Sequence, residues 1–242
     1  MTSDLKTYVR EEPVFDVHEH HMPEILGDRD VGLLKLLQQS YAGWTQARPY
    51  LLPSERGDEF RWPADPGACS WDDVAAYVEG SGSNAFVRTL VSGLSDLYPL
   101  GEGGITQENW PALDEEIRSR HSDPGWAANV MARAGVEQIV TDPYTNPLLD
   151  ARTELGESYR SVARVNALAL AWHPESRDHN GNSGHDFARA LGVELETFDD
   201  YAFLEHFVDT LGERNQVALK SALAYDRDLR FDRPDEALAR RA

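Results

Sequence analysis

Residues 14–23 read VFDVHEHHMP. Three apolar residues, Val14, Phe15 and Val17, give the opening the character of a β-strand, and Pro23 ends regular pairing. Side chains alternate across a strand, so Asp16, His18 and His20 share one face while Phe15, Val17 and Glu19 take the other. At about 3.3 Å of rise per residue, His18 and His20 project about 7 Å apart along the strand. One metal ion fits between two such rings, at about 2 Å from each nitrogen. Asp16, one step deeper, is placed to ligate the same ion or to orient a ligand.

The rest of the chain supplies the setting for that strand. After residue 22 a long stretch, 22–125, shows no convincing buried strand and reads as helices and loops. Helical spacing appears in 31–46, from Trp71 onward, in 83–98 and in 111–121, with Pro- and Gly-rich loops at 47–70 and 99–104. Trp44, Trp62, Trp71 and Trp110 are expected to pack this insertion. From residue 124 the rhythm changes. "WAANVMARAG" is a helix stopped by Gly135, and "VEQIVTDP" (136–143) is a short apolar strand closed by Pro143. Residues 147–159 read as helix, and 161–172 as a third strand over its first eight or nine residues. Two helices follow, then a fourth strand, "QVALKSALAY" (216–225), and "RPDEALARRA" opens a last helix. Strand and helix alternate four times, the pattern that builds a parallel sheet through right-handed crossovers.

Composition narrows the functional classes. The chain has 242 residues, 42 acidic against 23 basic, for a net charge of −19. Nucleic acid and anionic membranes would be repelled. No apolar run approaches the length of a membrane span, and the polar start "MTSDLKTYVREEP" lacks the core of a secretory signal. With a single cysteine, Cys69, no internal disulfide is possible, and a cytoplasmic location is expected. No Gly-x-Ser-x-Gly motif is present, and "GEGG" lacks the Lys-Ser/Thr of a phosphate-cradling loop.

"FDVHEH" resembles the Asp-x-His-x-His strand that opens the metal-dependent barrels of the amidohydrolase superfamily. "MARAGVEQIVTD" resembles the second helix-to-strand step of its amidohydrolase-related and uronate-isomerase-like branch, and "VALKSALAYDRDLRF" its fourth-strand segment. The resemblance covers about 12–23 and 124–242. It implies an α/β fold of the TIM-barrel type with a large helical insertion, 22–125, after strand 1. It also implies a divalent metal, zinc first and manganese or iron as alternatives, held by His18 and His20 with Asp16. The activity implied is hydrolysis of an amide, lactone or related carbonyl compound by a metal-activated water. A uronate-isomerase-like aldose–ketose exchange is the alternative within the branch, and a non-catalytic barrel binding a small molecule is the alternative outside it.

Other residues fall near the same strand ends. Lys220 sits between alanines on one face of strand four, where an unpaired charge would be costly. It is read as a catalytic candidate, by metal ligation or by charge near the substrate, with an edge lysine reaching solvent as the plain alternative. Asp142, at the end of strand two, is a second catalytic candidate, able to hold a substrate hydroxyl or to serve a local turn. Tyr225, Arg227 and His173 lie beyond strands four and three and are candidates for substrate binding; an arginine there could clamp a carboxylate.

A complete barrel has eight strands, and only four are legible here. Residues 1–242 are therefore expected to form the N-terminal part of one barrel, with full activity requiring more than this chain. The half-sheet would have unpaired edges. A homo-oligomer, or a missing C-terminal half, is the expected partner besides a small-molecule substrate.

Overall fold

The computed structural model describes residues 2–42, 69–79, 82–101, 103–171, 173–231, 233 and 235–240. Two compact units form, one of Met1–Leu26 with Met131–Ala242 and the other of Gly27–Val130.

The first unit carries the sheet. Four strands, β1 (Val14–Glu19), β2 (Val136–Thr141), β3 (Tyr159–Arg164) and β4 (Gln216–Lys220), pair in parallel in the order β1-β2-β3-β4. Spatial order follows chain order without the reversal that marks a doubly wound sheet. This is the α/β arrangement of a partial TIM-barrel-like unit. Helices α1 (Thr2–Glu11) and α2 (Pro23–Leu26) flank β1 in sequence. β2 and β3 are joined through α8 (Ala151–Leu155), and β3 and β4 through α9 (Gly184–Ala190) and α10 (Phe203–Thr210). α11 (Glu236–Ala239) comes last, capped by the Asp235 side chain.

β3 is buried along nearly its whole length, as a strand covered on both faces must be. On one side Ala163 meets Leu168, Phe187, Ala188, Phe203 and Phe207. β2 contributes Ile139 to a smaller cluster with Leu149, Ala151 and Tyr159. The outer strands differ: Phe15 (58%) and Val17 (68%) on β1, and Val217 (55%) and Leu219 (49%) on β4, remain exposed.

The second unit is helical. Its elements are α3 (Leu33–Gln39), α4 (Trp71–Val78), α5 (Ala85–Leu97) and α6 (Trp110–His121), followed by α7 (Trp126–Arg133) at the boundary of the two units. Leu33, Leu34, Leu37, Val74, Tyr77, Leu94, Leu113 and Ile117 form one core. Asn84 caps α5 by accepting from the amides of Phe86 and Val87. Trp71 and Trp110 pack against this core as expected, whereas Trp44, Trp62 and the loop over 47–68 lie outside the described residues.

Gly135 stops α7 with φ +68°, as its position past the helix end requires. Three expectations need correction. The third strand runs Tyr159–Arg164, and Asn166–Leu170 is a 3₁₀ helix. The run "NALAL" is apolar, but alanine and leucine favour helical turns, so its length misled the strand reading. The fourth strand ends at Lys220, and Leu223–Tyr225 is a 3₁₀ turn, so Ala222 and Ala224 do not continue the face of Lys220. The helix expected over 147–159 shrinks to α8, bounded by the Asp150 cap and by Gly156 at φ +123°.

Gly184 opens α9 against the 3₁₀ helix after β3. A Cβ there would collide with the Ala171 side chain and stand 2.7 Å from the backbone oxygen of Ala167. Gly184→Ala is expected to lower stability by about 1–3 kcal/mol, whereas Gly212→Ala, where a Cβ meets nothing within 4 Å, should stay within about 0.5 kcal/mol of wild type. Urea unfolding of the two variants measures the contrast.

Candidate metal centre

The carboxyl ends of all four strands meet in one polar cluster. Parallel pairing places Glu19 opposite Thr141. The Asp142 amide donates to the Glu19 carbonyl at 2.7 Å, and the Thr141 hydroxyl donates to the His21 carbonyl at 2.7 Å. His20 Nδ1 lies 3.0 Å from the Asp142 carbonyl oxygen. A carbonyl only accepts, so Nδ1 carries the hydrogen, and it is Nε2 that the neutral ring would present to a cation. The exit of β1 is thereby fastened to the exit of β2.

His18, His20 and Asp142 are brought together by this pairing. One ligating atom from each lies within 4.8 Å of the others. The two imidazole rings stand edge to face, with centroids 4.8 Å apart and planes at 79°. This is tighter than the 7 Å of an ideal strand. The regular strand ends at Glu19 and the register shifts between Asp16 and Glu19, so the chain bends before His20. The Tyr144 ring packs edge-on against His20 at 5.3 Å.

Asp142 is wholly buried, and its charge is answered on both oxygens. Arg164 Nε donates to Oδ1 at 3.1 Å and Nη2 to Oδ2 at 2.7 Å, while Lys220 Nζ stands 3.4 Å from Oδ2. Arg164 is itself only 6% exposed. Burial alone would raise the Asp142 pKa. The hydrogen bonds and charge of Arg164, with the charges of Lys220 and His20, outweigh it and hold the carboxyl below the ordinary aspartate value. His18 shifts downward too, first through loss of water and then through the charges of Lys220 and His20, with Asp142 and Glu19 pulling the other way. It therefore stays a neutral imidazole further into mildly acidic pH than an ordinary histidine.

The donor set, two imidazoles and one carboxylate, is that of many catalytic divalent-cation sites. Ligands about 2.1 Å from a tetrahedral ion stand about 3.4 Å apart. The widest separation here would close by up to about 1.4 Å, with exposed His18 the member best able to move.

Of the residues expected from sequence, Lys220 and Asp142 both enter the cluster, Asp142 as a candidate ligand. Asp16 does not join it, because its Oδ1 accepts from the His18 amide at 3.1 Å within its own strand. His173 is exposed and its Nδ1 accepts from the Glu175 amide of its own loop. Arg227 turns onto the carbonyls of Asp228 and Arg230 and over the Phe231 ring. Tyr225 is 79% exposed, its ring 4.8 Å from that of His179. His21 faces elsewhere, toward the Tyr159 hydroxyl at 3.2 Å.

Arg164 was not expected. The signal was present in "SVARV": an arginine inside a strand otherwise fit for burial must find a carboxylate. No protein-family model and no curated protein matches the chain.

Asp142→Asn leaves Arg164 buried without its counter-charge and is expected to cost about 3–5 kcal/mol near neutral pH. Because the folded pKa of Asp142 is depressed, its contribution is complete above the unfolded value of about 3.9 and is lost as pH falls through the folded one. The gap between wild type and variant should therefore narrow below pH 4, as measured by denaturant unfolding across pH.

Proposed function

We propose that this protein is a metal-dependent hydrolase of the amidohydrolase superfamily, acting on an amide, lactone or related carbonyl compound. The observation that carries the reading is the convergence of His18, His20 and Asp142 at the carboxyl ends of parallel strands, where barrel enzymes keep their chemistry. Zinc is the first choice, with manganese or iron also compatible with two imidazoles and a carboxylate. When bound, such an ion supplies Lewis acidity toward a carbonyl oxygen and lowers the pKa of a water to about 7.

The chain's own residues divide the remaining tasks. His20 Nδ1 is engaged by the Asp142 carbonyl, which fixes the ring and presents Nε2. Asp142, held ionised by Arg164 and Lys220, is a weak base at neutral pH and serves better as a ligand than as a proton acceptor. Lys220, its side chain 34% exposed beside that carboxylate, has donors to offer a carbonyl oxygen or an anionic group of the substrate.

Titration of metal-free protein with zinc or manganese, followed by calorimetry, is expected to give one equivalent bound. His18→Ala or His20→Ala should weaken it by about 100-fold or more. Loaded protein is then assayed on amides and lactones, with uronates as the isomerase arm. Wild-type protein that takes up no divalent metal at neutral pH sinks the proposal and leaves the non-catalytic reading.

A further inference from the structure

A second set of polar residues stands behind Arg164. His179 Nδ1 lies 2.9 Å from Asp226 Oδ1, and the His179 amide donates to the same oxygen at 2.7 Å. The Asp226 side chain is 5% exposed and that of His179 27%. On its other side His179 Nε2 meets Arg164 Nη1 at 3.5 Å and Asn180 Nδ2 at 2.9 Å. Both of those partners are donors, and the Asp226 carboxylate is an acceptor. The one arrangement that satisfies all of them has hydrogen on Nδ1 and a lone pair on Nε2.

Asp226 is fixed in turn from the exit of β3. Asn166 Nδ2 donates to Asp226 Oδ2 at 3.1 Å and to Asp178 Oδ2 at 2.8 Å. The loop bearing His179 and the segment after β4 are thus tied together two residues beyond Arg164. Each atom of the chain Asp226–His179–Arg164–Asp142 then has a defined partner, ending on a carboxylate of the candidate metal centre.

We infer that His179 and Asp226 are positioning residues, which set the Arg164 guanidinium so that Asp142 stands ready to complete the metal site. Arg164 has three nitrogens. Two grip Asp142 in a fork, and the third, Nη1, decides the plane in which the fork lies. An acceptor at Nη1 holds that plane, and the carboxylate behind His179 keeps the acceptor's lone pair turned toward it. Groups of this kind outside the ligands commonly change metal affinity by 10- to 100-fold. The inference rests on the proposed metal centre.

The test is cobalt(II) or zinc(II) affinity by calorimetry, with the visible spectrum of the cobalt form, on the full chain. His179→Ala and Asp226→Ala are expected to weaken binding by about 10-fold or more and to change the cobalt spectrum. His179→Gln, which restores an acceptor toward Arg164, should recover most of the affinity. Asn180→Ala, which removes a contact to His179 but no link of the chain, should bind as wild type. Melting of the metal-free variants separates positioning from folding. If the alanine variants melt lower yet bind metal as wild type does, or if His179→Gln is as weak as His179→Ala, the inference is overturned. Should His179→Ala fail to fold, the Asp226 pair gives the same comparison: Asp226→Asn, which keeps an acceptor oxygen toward His179 Nδ1, should hold most of the affinity that Asp226→Ala loses, and equal affinity in Asp226→Ala and wild type refutes. Absence of metal binding by wild type overturns the metal centre itself and the inference with it, whereas binding by wild type with unchanged variants overturns the inference alone.

Discussion

The structure of the strand-bearing unit depends on one buried carboxylate. An isolated charge of this kind would cost several kcal/mol even after relaxation, so Asp142 cannot stand where it does without Arg164 and Lys220. Those partners come from different strands, and Arg164 and Lys220 face each other directly across β3 and β4. A slip of one residue between β2 and β3, or between β3 and β4, would turn one partner to the opposite face. The ion cluster therefore fixes the register of three strands, while the Glu19–Asp142 and His21–Thr141 hydrogen bonds fix the fourth. Packing of Ala163 and Ile139 against their neighbours supplies apolar stabilisation but would tolerate more than one alignment.

The same cluster runs against the character of the chain. Acidic residues outnumber basic ones by 42 to 23, and only three of the basic residues are lysines. Yet at the strand ends two cations face one buried carboxylate. A carboxylate offers about four acceptor positions. Arg164 takes two and Lys220 a third, so about one direction is left for a further cation. An ion entering there meets two fixed positive charges nearby, which favours an anionic ligand or substrate group in its company.

How much of this was legible depended on how local each signal was. The pairing of His18 with His20 follows from the two-residue period of a strand, and strand alternation with Gly135 and Pro143 as punctuation gave the parallel sheet. Asp16 reads as the third member because it has the right parity on β1. The carboxylate that the structure brings beside the two imidazoles is that of Asp142, which lies 122 residues from His20 and meets it only through strand pairing. Nothing within β1 shows that the Asp16 carboxylate will turn back to the His18 amide. The same limit hid Arg164, whose partner is 22 residues away. Apolar runs such as "NALAL" carry no period that separates a strand from a tight helical turn, so both later strands were read too long.

His20 shows why the order of these contacts matters. Its two nitrogens do different work: Nδ1 is committed to the backbone of Asp142, and Nε2 is available for a ligand. The residue that fixes the histidine is the one whose side chain completes the triad, so ring orientation and carboxylate position cannot drift independently. Moving Asp142 shifts the carbonyl that holds His20, and turning His20 loosens the exit of β1 on which His18 sits. Three candidate ligand positions, two of them on β1 and at its exit and the third 122 residues from His20, thereby behave as one element, set by hydrogen bonds at the ends of two neighbouring strands. Exposed His18, the remaining member, is left to adjust to whatever the other two define.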